Sequence, residues 1–355
     1  MTTLKPLTPS PWLWLRRNLF NTWYNVILTL IAVVILGWIL VLTTTWAIQQ
    51  AQWRVIQANL SLFLVGRYPK DQVWRVAIAA LWFGAIVIAS SWYLWQQPRS
   101  VTVRRPASWV AFITHPLSIT VLLTVSTLGI WWLLSGGAGL KPVPPIRWNG
   151  LLLTVVLSVV SIGVAFPLGV LLALGRQSDL PVIRWFSVLY IEIVRGLPLI
   201  GILFMAMVML QLLFPPTIRL DRVLRAIAGL ALFNAAYLAE AVRGGLQAIP
   251  RGQYEAAKAL GLGPWLTMGL IVLPQALRAV IPAIVNQFIS LFKDTSLLAL
   301  FALVELTGIS RSILAQADFI GRYAEVYLFI GAIYWLICYG MSQFSQRLEQ
   351  TLGSR

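Results

Sequence analysis

The chain has 355 residues, 59% of them hydrophobic and 11% charged, with a mean hydropathy of +0.81; a soluble chain this apolar would not stay in solution. A net charge of +16 raises the question of nucleic acid, but the 27 lysines and arginines are scattered over the ends of apolar stretches and form no basic stripe with aromatic platforms. One cysteine, Cys338, and one histidine, His115, exclude an internal disulfide and a His/Cys metal cluster.

The segment before Asn25 is rich in Pro and Trp and carries Arg16 and Arg17. The apolar run after it is too long for a signal peptide and lacks a small-residue cleavage site, so it reads as a retained first helix. Apolar stretches of about 20 residues, the length that crosses a bilayer core, recur near 26–48, 73–95, 117–135, 150–174, 186–213, 223–244, 279–305 and 325–344. They predict an all-α integral membrane protein with about eight spans. The apolar patterning is continuous and Gly and Pro sit inside several stretches, which fits helices rather than barrel strands. His115 reads as an interfacial loop residue beside Pro116, and Cys338 as a small filler of the last span.

Fourteen of the seventeen tryptophans precede Gly150, and many flank spans, where indoles prefer the headgroup layer. The Gly- and Pro-rich stretch up to Asn149 marks a boundary. Residues 1–140 therefore read as an extension with three helices, 141–149 as a linker, 150–346 as a five-helix core and 347–355 as a tail. Gly136, Gly137 and Gly139 before Lys141 do not make a phosphate loop, because Leu140 separates Gly139 from the lysine and Pro142 follows where Ser or Thr is needed. No other Gly-Lys pair exists, so any ATP-driven work belongs to a separate subunit.

Between two core spans the chain turns polar. Pro250 and Gly252 end the incoming span, Gln253 to Leu260 can form about two helical turns, and Gly261 supplies the left-handed residue that stops them. Ala256, Ala257 and Ala259 have almost no side chain to hold a partner surface away, while Arg251, Glu255 and Lys258 offer polar contacts at the rim. The same local pattern also suits an ordinary interfacial loop helix.

Several blocks together resemble one family. Glu255, Ala256, Ala257 and Gly261, followed by Ile271, Leu273 and Pro274, have the spacing of the "EAA" loop, at 250–274 here, that the membrane subunits of bacterial ABC importers present to their ATPase. The run around Glu192, Arg195, Gly196 and Pro198 looks like the second core helix of polar amino-acid permeases, the histidine, glutamine and general L-amino-acid systems. Leu-Pro-Gln-Ala-Leu-Arg at 273–278, Pro282, Asn286 and Lys-Asp-Thr-Ser-Leu at 293–297 look like the fourth. The family commonly has Thr where Leu197 stands, and the three added helices resemble the larger permeases of the general L-amino-acid subgroup.

The resemblance implies a five-helix type I ABC importer core in a bacterial inner membrane, with the loop and both termini cytoplasmic. It implies a cytoplasmic ATPase dimer that binds ATP and magnesium, a periplasmic or extracellular amino-acid-binding protein, and a second permease, identical or related. The chain itself then needs no cofactor, no metal, no nucleic acid and no catalytic residue, and works by alternating access in the lipid. Charge supports this orientation modestly, with about fourteen positive residues inside against about eleven outside.

A charge at bilayer depth costs about 2.5–3.5 kcal/mol even on a lenient scale, so such residues face protein or water. Glu192, Arg195, Glu240 and Arg243 fall toward the cytoplasmic halves of their spans and read as ion pairs that fix the helices near the ATPase. Asp294, Thr295, Ser296 and Asn234 are candidates to line the transmembrane path, since a zwitterionic amino acid needs an acceptor for its ammonium and donors for its carboxylate. The alternative is that Lys293 neutralises Asp294 and the hydroxyls bond back to helix carbonyls. Pro198, Pro274 and Pro282 suit either hinges or ordinary kinks.

A secondary transporter or channel that needs no ATPase is the competing class. Its signs would be a deep coupling carboxylate, for which Asp294 is the candidate, or inverted repeats with broken helices.

Overall fold

The computed structural model describes residues 11–96, 125, 129–137, 139–215 and 217–353. These residues form helices and loops, with no β-strand among them. The chain divides into two compact units, Met1–Arg54 and Val55–Arg355.

The first unit holds α1 (Pro11–Asn18) and α2 (Trp23–Thr45), which runs on through a wider π turn at Trp46–Gln50. Together α2 and that turn make an apolar rod of 28 residues, which at about 1.5 Å per residue is long enough to cross a bilayer. Its three consecutive threonines are internally satisfied: Thr43, Thr44 and Thr45 donate to the carbonyls of Ile39, Leu40 and Val41 at 2.8, 2.7 and 2.6 Å. Hydrocarbon therefore meets no orphaned hydroxyl there.

The second unit contains α3 (Arg54–Val65, from Val55), α4 (Val73–Gln96), α5 (Gly150–Arg176), α6 (Pro181–Gly196), α7 (Leu199–Leu212) and α8 (Arg222–Gln247). It continues with α9 (Arg251–Ala259), α10 (Leu273–Asp294), α11 (Leu306–Leu314) and α12 (Tyr323–Gly353). Helices of membrane-crossing length cover the expected spans at 26–48, 150–174, 223–244 and 325–344, one at Ile281–Phe301 lies within that at 279–305, and α4 lies on the one at 73–95. The expected span at 117–135 is described only at 125 and 129–135, which are helical, and His115 lies outside the described residues.

The stretch expected as one span over 186–213 is instead two helices, α6 and α7, bent by 107°. The cause is local. Gly196 is a poor helix residue, and Pro198 lacks an N–H and pushes its predecessor out of the α region. Leu197 accordingly sits extended, at φ −97° and ψ 143°.

The core helices have a defined polarity. Leu153 and Leu157 near the start of α5 cluster with Val223, Ala226 and Leu230 near the start of α8, while Arg176 at the end of α5 meets Glu240 near the end of α8 at 2.9 Å. The two helices therefore run parallel. α10 runs opposite to them: Gln287 donates to Asn234 at 2.7 Å, and further along α8 a Cβ on Gly245 would stand 2.5 Å from the Ala276 carbonyl. The starts of α5 and α8 and residues 302–304 thus share one end, joined by the Gly150 N–H to the Val304 carbonyl at 2.9 Å. α9 lies at the other.

α3 has 12 residues and is too short to cross. Val55 and Phe63 on it pack with Leu306, Ile309 and Ile313 of α11 and with Val326 and Ile330 of α12. Phe63 and Phe329 meet edge to face, centroids 5.0 Å apart. Beyond α3, Tyr68 donates to the Leu134 carbonyl at 2.8 Å and Arg75 to the Lys141 carbonyl at 2.9 Å. These bonds tie Tyr68 and the first turn of α4 to the helical end at 129–135 and to the loop that leads into α5.

Candidate functional site

The polar segment after α8 forms a two-and-a-half-turn helix, α9, with sharp ends. Pro250 stands at its N-cap with φ −60° and ψ 140°. At the other end Gly261 has φ +76°. The Gly261 N–H donates to the Lys258 carbonyl at 3.0 Å and the Leu262 N–H to the Ala257 carbonyl at 3.1 Å. This pair of bonds is the Schellman stop, and the left-handed residue it needs is the reason for a glycine.

One face of α9 is rooted in the core. Tyr254 is half-buried and packs on a cluster that includes Val242 and Leu246 of α8 and Ala276 of α10. Ala257, three residues on and on the same side, is 0% exposed. Its small side chain lets the helix sit close to its own protein, and so it does not offer a partner the open surface expected of it. Gln253 accepts from Gln275 of α10 at 3.1 Å, a second tie. The remaining face is open: Arg251, Gly252, Glu255, Ala256, Lys258 and Ala259 are exposed, and so is Gly261.

Residues 260–272 lead from α9 to α10. A π turn at Thr267–Val272 precedes it, and Pro274 occupies its first turn, exposed. The wider turn suits a residue that cannot donate a backbone bond. α9 is therefore tied to α8 through its short connection, and to α10 through Tyr254 and Gln253.

Next to this root lies a cluster of charges. The Glu240 carboxylate receives Arg176 of α5 at 2.9 Å, Arg243 of its own helix at 2.8 Å and Arg195 of α6 at 3.5 Å. Arg176 also bonds Glu192 of α6 at 3.0 Å. Arg195 lies over the Tyr237 ring, 5.9 Å from its centroid. One carboxylate, only 16% exposed, thus draws together three helices beside the break at Leu197.

The four residues considered for a path fall in two places, Asn234 apart from the adjacent Asp294, Thr295 and Ser296. Asn234 is fully buried and doubly engaged, donating to the Leu230 carbonyl at 2.9 Å and accepting from Gln287. Thr295 is fully buried and donates to the Phe292 carbonyl at 2.7 Å. Asp294 is half-buried at the end of α10. Ser296 lines a cavity of about 350 Å³ with Lys293, Thr307, Tyr327 and Tyr334. Gln287 lies seven residues before Asp294, about 10 Å along the helix, so Asn234 and Asp294 do not form one pocket.

A family model described as "Binding-protein-dependent transport system inner membrane component" matches residues 165–353, more than half of the chain. The chain belongs to this family. As an inner-membrane transport component with several membrane-length helices, it is a multi-pass membrane protein. It is similar to the inner membrane amino-acid ABC transporter permease protein YhdY of Escherichia coli K12, 40% identical over 96% of this chain and 93% of that protein. It is also similar to BztC of Rhodobacter capsulatus, a glutamate/glutamine/aspartate/asparagine transport system permease protein, 36% identical over 96% of this chain and 93% of that one. A crystal structure of an amino acid ABC transporter with histidines aligns with a TM-score of 0.51 and 29% identity, over 57% of this chain and 91% of that one.

Three contributors to the site of this transport component escaped the sequence reading. Arg176 was not grouped with Glu240, 64 residues away; its signal was an arginine closing an apolar span. Gln253 and Tyr254 were treated only as helix residues, although Tyr254 and Ala257 together trace the inward stripe of α9.

Proposed function

We propose that the chain is a permease subunit of an ATP-driven ABC importer for polar or general L-amino acids, working by alternating access. Residues 150–346 act as the type I core, preceded by the three-helix extension. α9 faces the cytoplasm, as do both termini, and docks on a separate ATPase dimer that holds ATP and magnesium. A binding protein delivers the amino acid to the opposite side, and a second permease completes the path. The chain carries no catalytic residue in this scheme.

The observation that carries the proposal is the division of α9 into two faces. Glu255, Ala256 and Lys258 are exposed, while Tyr254 and Ala257 anchor the same helix to the core. A helix of this kind passes a push from outside into α8 and α10. The transport names of YhdY and BztC support amino acids as cargo. On this reading Glu240 and its arginines stiffen the cytoplasmic end, and Asn234 and Thr295 serve packing. Asp294 and Ser296 remain as path candidates.

Uptake by the native complex in proteoliposomes tests the proposal. Labelled amino acid is expected to accumulate only with ATP on the ATPase side and binding protein on the other. Accumulation driven by an ion gradient alone would establish the secondary transporter instead.

A further inference from the structure

At the end of the core opposite α9, a cleft of about 880 Å³ opens between the start of α5, residues 211–214 and 219–225, and residues 302–304. Its wall is apolar, with Leu153, Phe214, Val223 and Leu303. Arg219, Arg222 and Arg225 also line it. Arg219 and Arg222 are exposed, and Arg225 is half-buried and donates to the Met207 carbonyl.

These cations are poorly compensated. The only carboxylate lining the cleft among the described residues is Asp221, one oxygen of which is engaged in capping α8, accepting from the Val223 and Leu224 N–H groups at 2.7 and 3.4 Å. No salt bridge among the described residues joins any of the three arginines. Arg222 and Arg225 stand in the first turn of α8, where the helix dipole disfavours cations. Positive charge on the outer side also opposes the usual topological bias. Basic residues held against both costs are what an incoming acidic group would need.

We infer that this cleft is the docking site for an acidic loop of the binding protein, whose carboxylates meet Arg219 and Arg222 while its apolar residues enter the cleft. This rests on the proposed function, which makes this end external. The volume lies near the upper end for small-ligand pockets, so it holds a loop better than a lone amino acid. The family's transport is dependent on a binding protein, so a macromolecular partner must engage the chain. Charge complementarity across such a contact speeds and orients docking.

The test uses the permease–ATPase complex in nanodiscs of phosphatidylcholine alone, with the binding protein that supports its uptake as probe. The concentration of binding protein that half-maximally stimulates ATP hydrolysis is measured. The double variant R219E/R222E is expected to raise it about tenfold and to flatten its salt dependence, whereas R222K stays close to the unmodified protein. An unchanged thermal midpoint shows that the variant is folded. Equal half-saturation in R219E/R222E would overturn the inference. So would a shift that appears only with phosphatidylglycerol in the disc, which marks an anionic-lipid site, or a change confined to the amino acid's KM at saturating binding protein, which marks a substrate site. Absence of stimulation in the unmodified complex would instead remove the proposed function itself, and the docking site with it.

Discussion

Glu240→Ala is expected to cost about 2–3 kcal/mol of stability, the largest loss from any single carboxylate at this end of the core. Removing one partner of a buried ion pair costs about 3–5 kcal/mol, because the other charge is left uncompensated. The figure is set lower here because Arg176, Arg195 and Arg243 keep 24%, 37% and 29% of their side chains exposed. Without Glu240, Arg195 and Arg243 lose the carboxylate each pairs with, and of the three arginines Arg176 keeps a carboxylate, that of Glu192. Glu192→Ala is the control. That carboxylate is 54% exposed and holds one arginine, so its loss is expected to cost less than about 1 kcal/mol. Thermal unfolding of the detergent-solubilised chain reads both. Equal shifts for the two variants would show that Glu240 is not the hub.

Ala257→Arg has the second large effect, and its mechanism follows from burial. Ala257 is 0% exposed beneath α9, so a long charged side chain must lift the helix from its seat and draw Tyr254 out of its cluster with Val242, Leu246 and Ala276. Overpacking costs about 1–3 kcal/mol, and burying an unpaired guanidinium adds to it. Uptake by the assembled complex is expected to fall at least about tenfold, since about 1.4 kcal/mol is already a tenfold change, while binding-protein affinity is retained. Ala256→Arg separates seating from docking. Ala256 is exposed, so this variant should leave the isolated chain as stable as before and weaken only its hold on the ATPase. If Ala257→Arg spared the isolated chain, α9 would not be rooted as described.

What the sequence made legible was mostly what hydropathy and helix punctuation encode. The long apolar runs located the spans, and Pro250 with Gly261 bracketed α9, although the helix begins at Arg251 rather than Gln253. Backbone direction was not legible in the same way. The run 186–213 stays apolar on average despite Glu192 and Arg195, so hydropathy alone did not show its 107° bend, and Gly196 and Pro198 were the residues that announced it. α3 was hidden because 12 residues fall below the length that a membrane-span search detects.

Long-range pairings were the least accessible. Glu240 and Arg243 are three residues apart on one helix, and so their pairing is written in the spacing. Arg176 reaches Glu240 only because α5 and α8 run parallel. Asn234 looked like a path residue because it is polar at membrane depth, yet it spends both its donor and its acceptor on Leu230 and Gln287. A buried amide satisfied in this way costs little and locks one helix to the next.

The docking of α9 on an ATPase is tested most directly by cross-linking in native membranes. Ala256→Cys in a Cys338→Ala background places a single thiol on the open face of α9. A short bifunctional reagent is expected to join it to the ATPase subunit, with the yield changing when ATP is added. A thiol that labels freely but never joins an ATPase would contradict the assignment of α9 as the coupling helix.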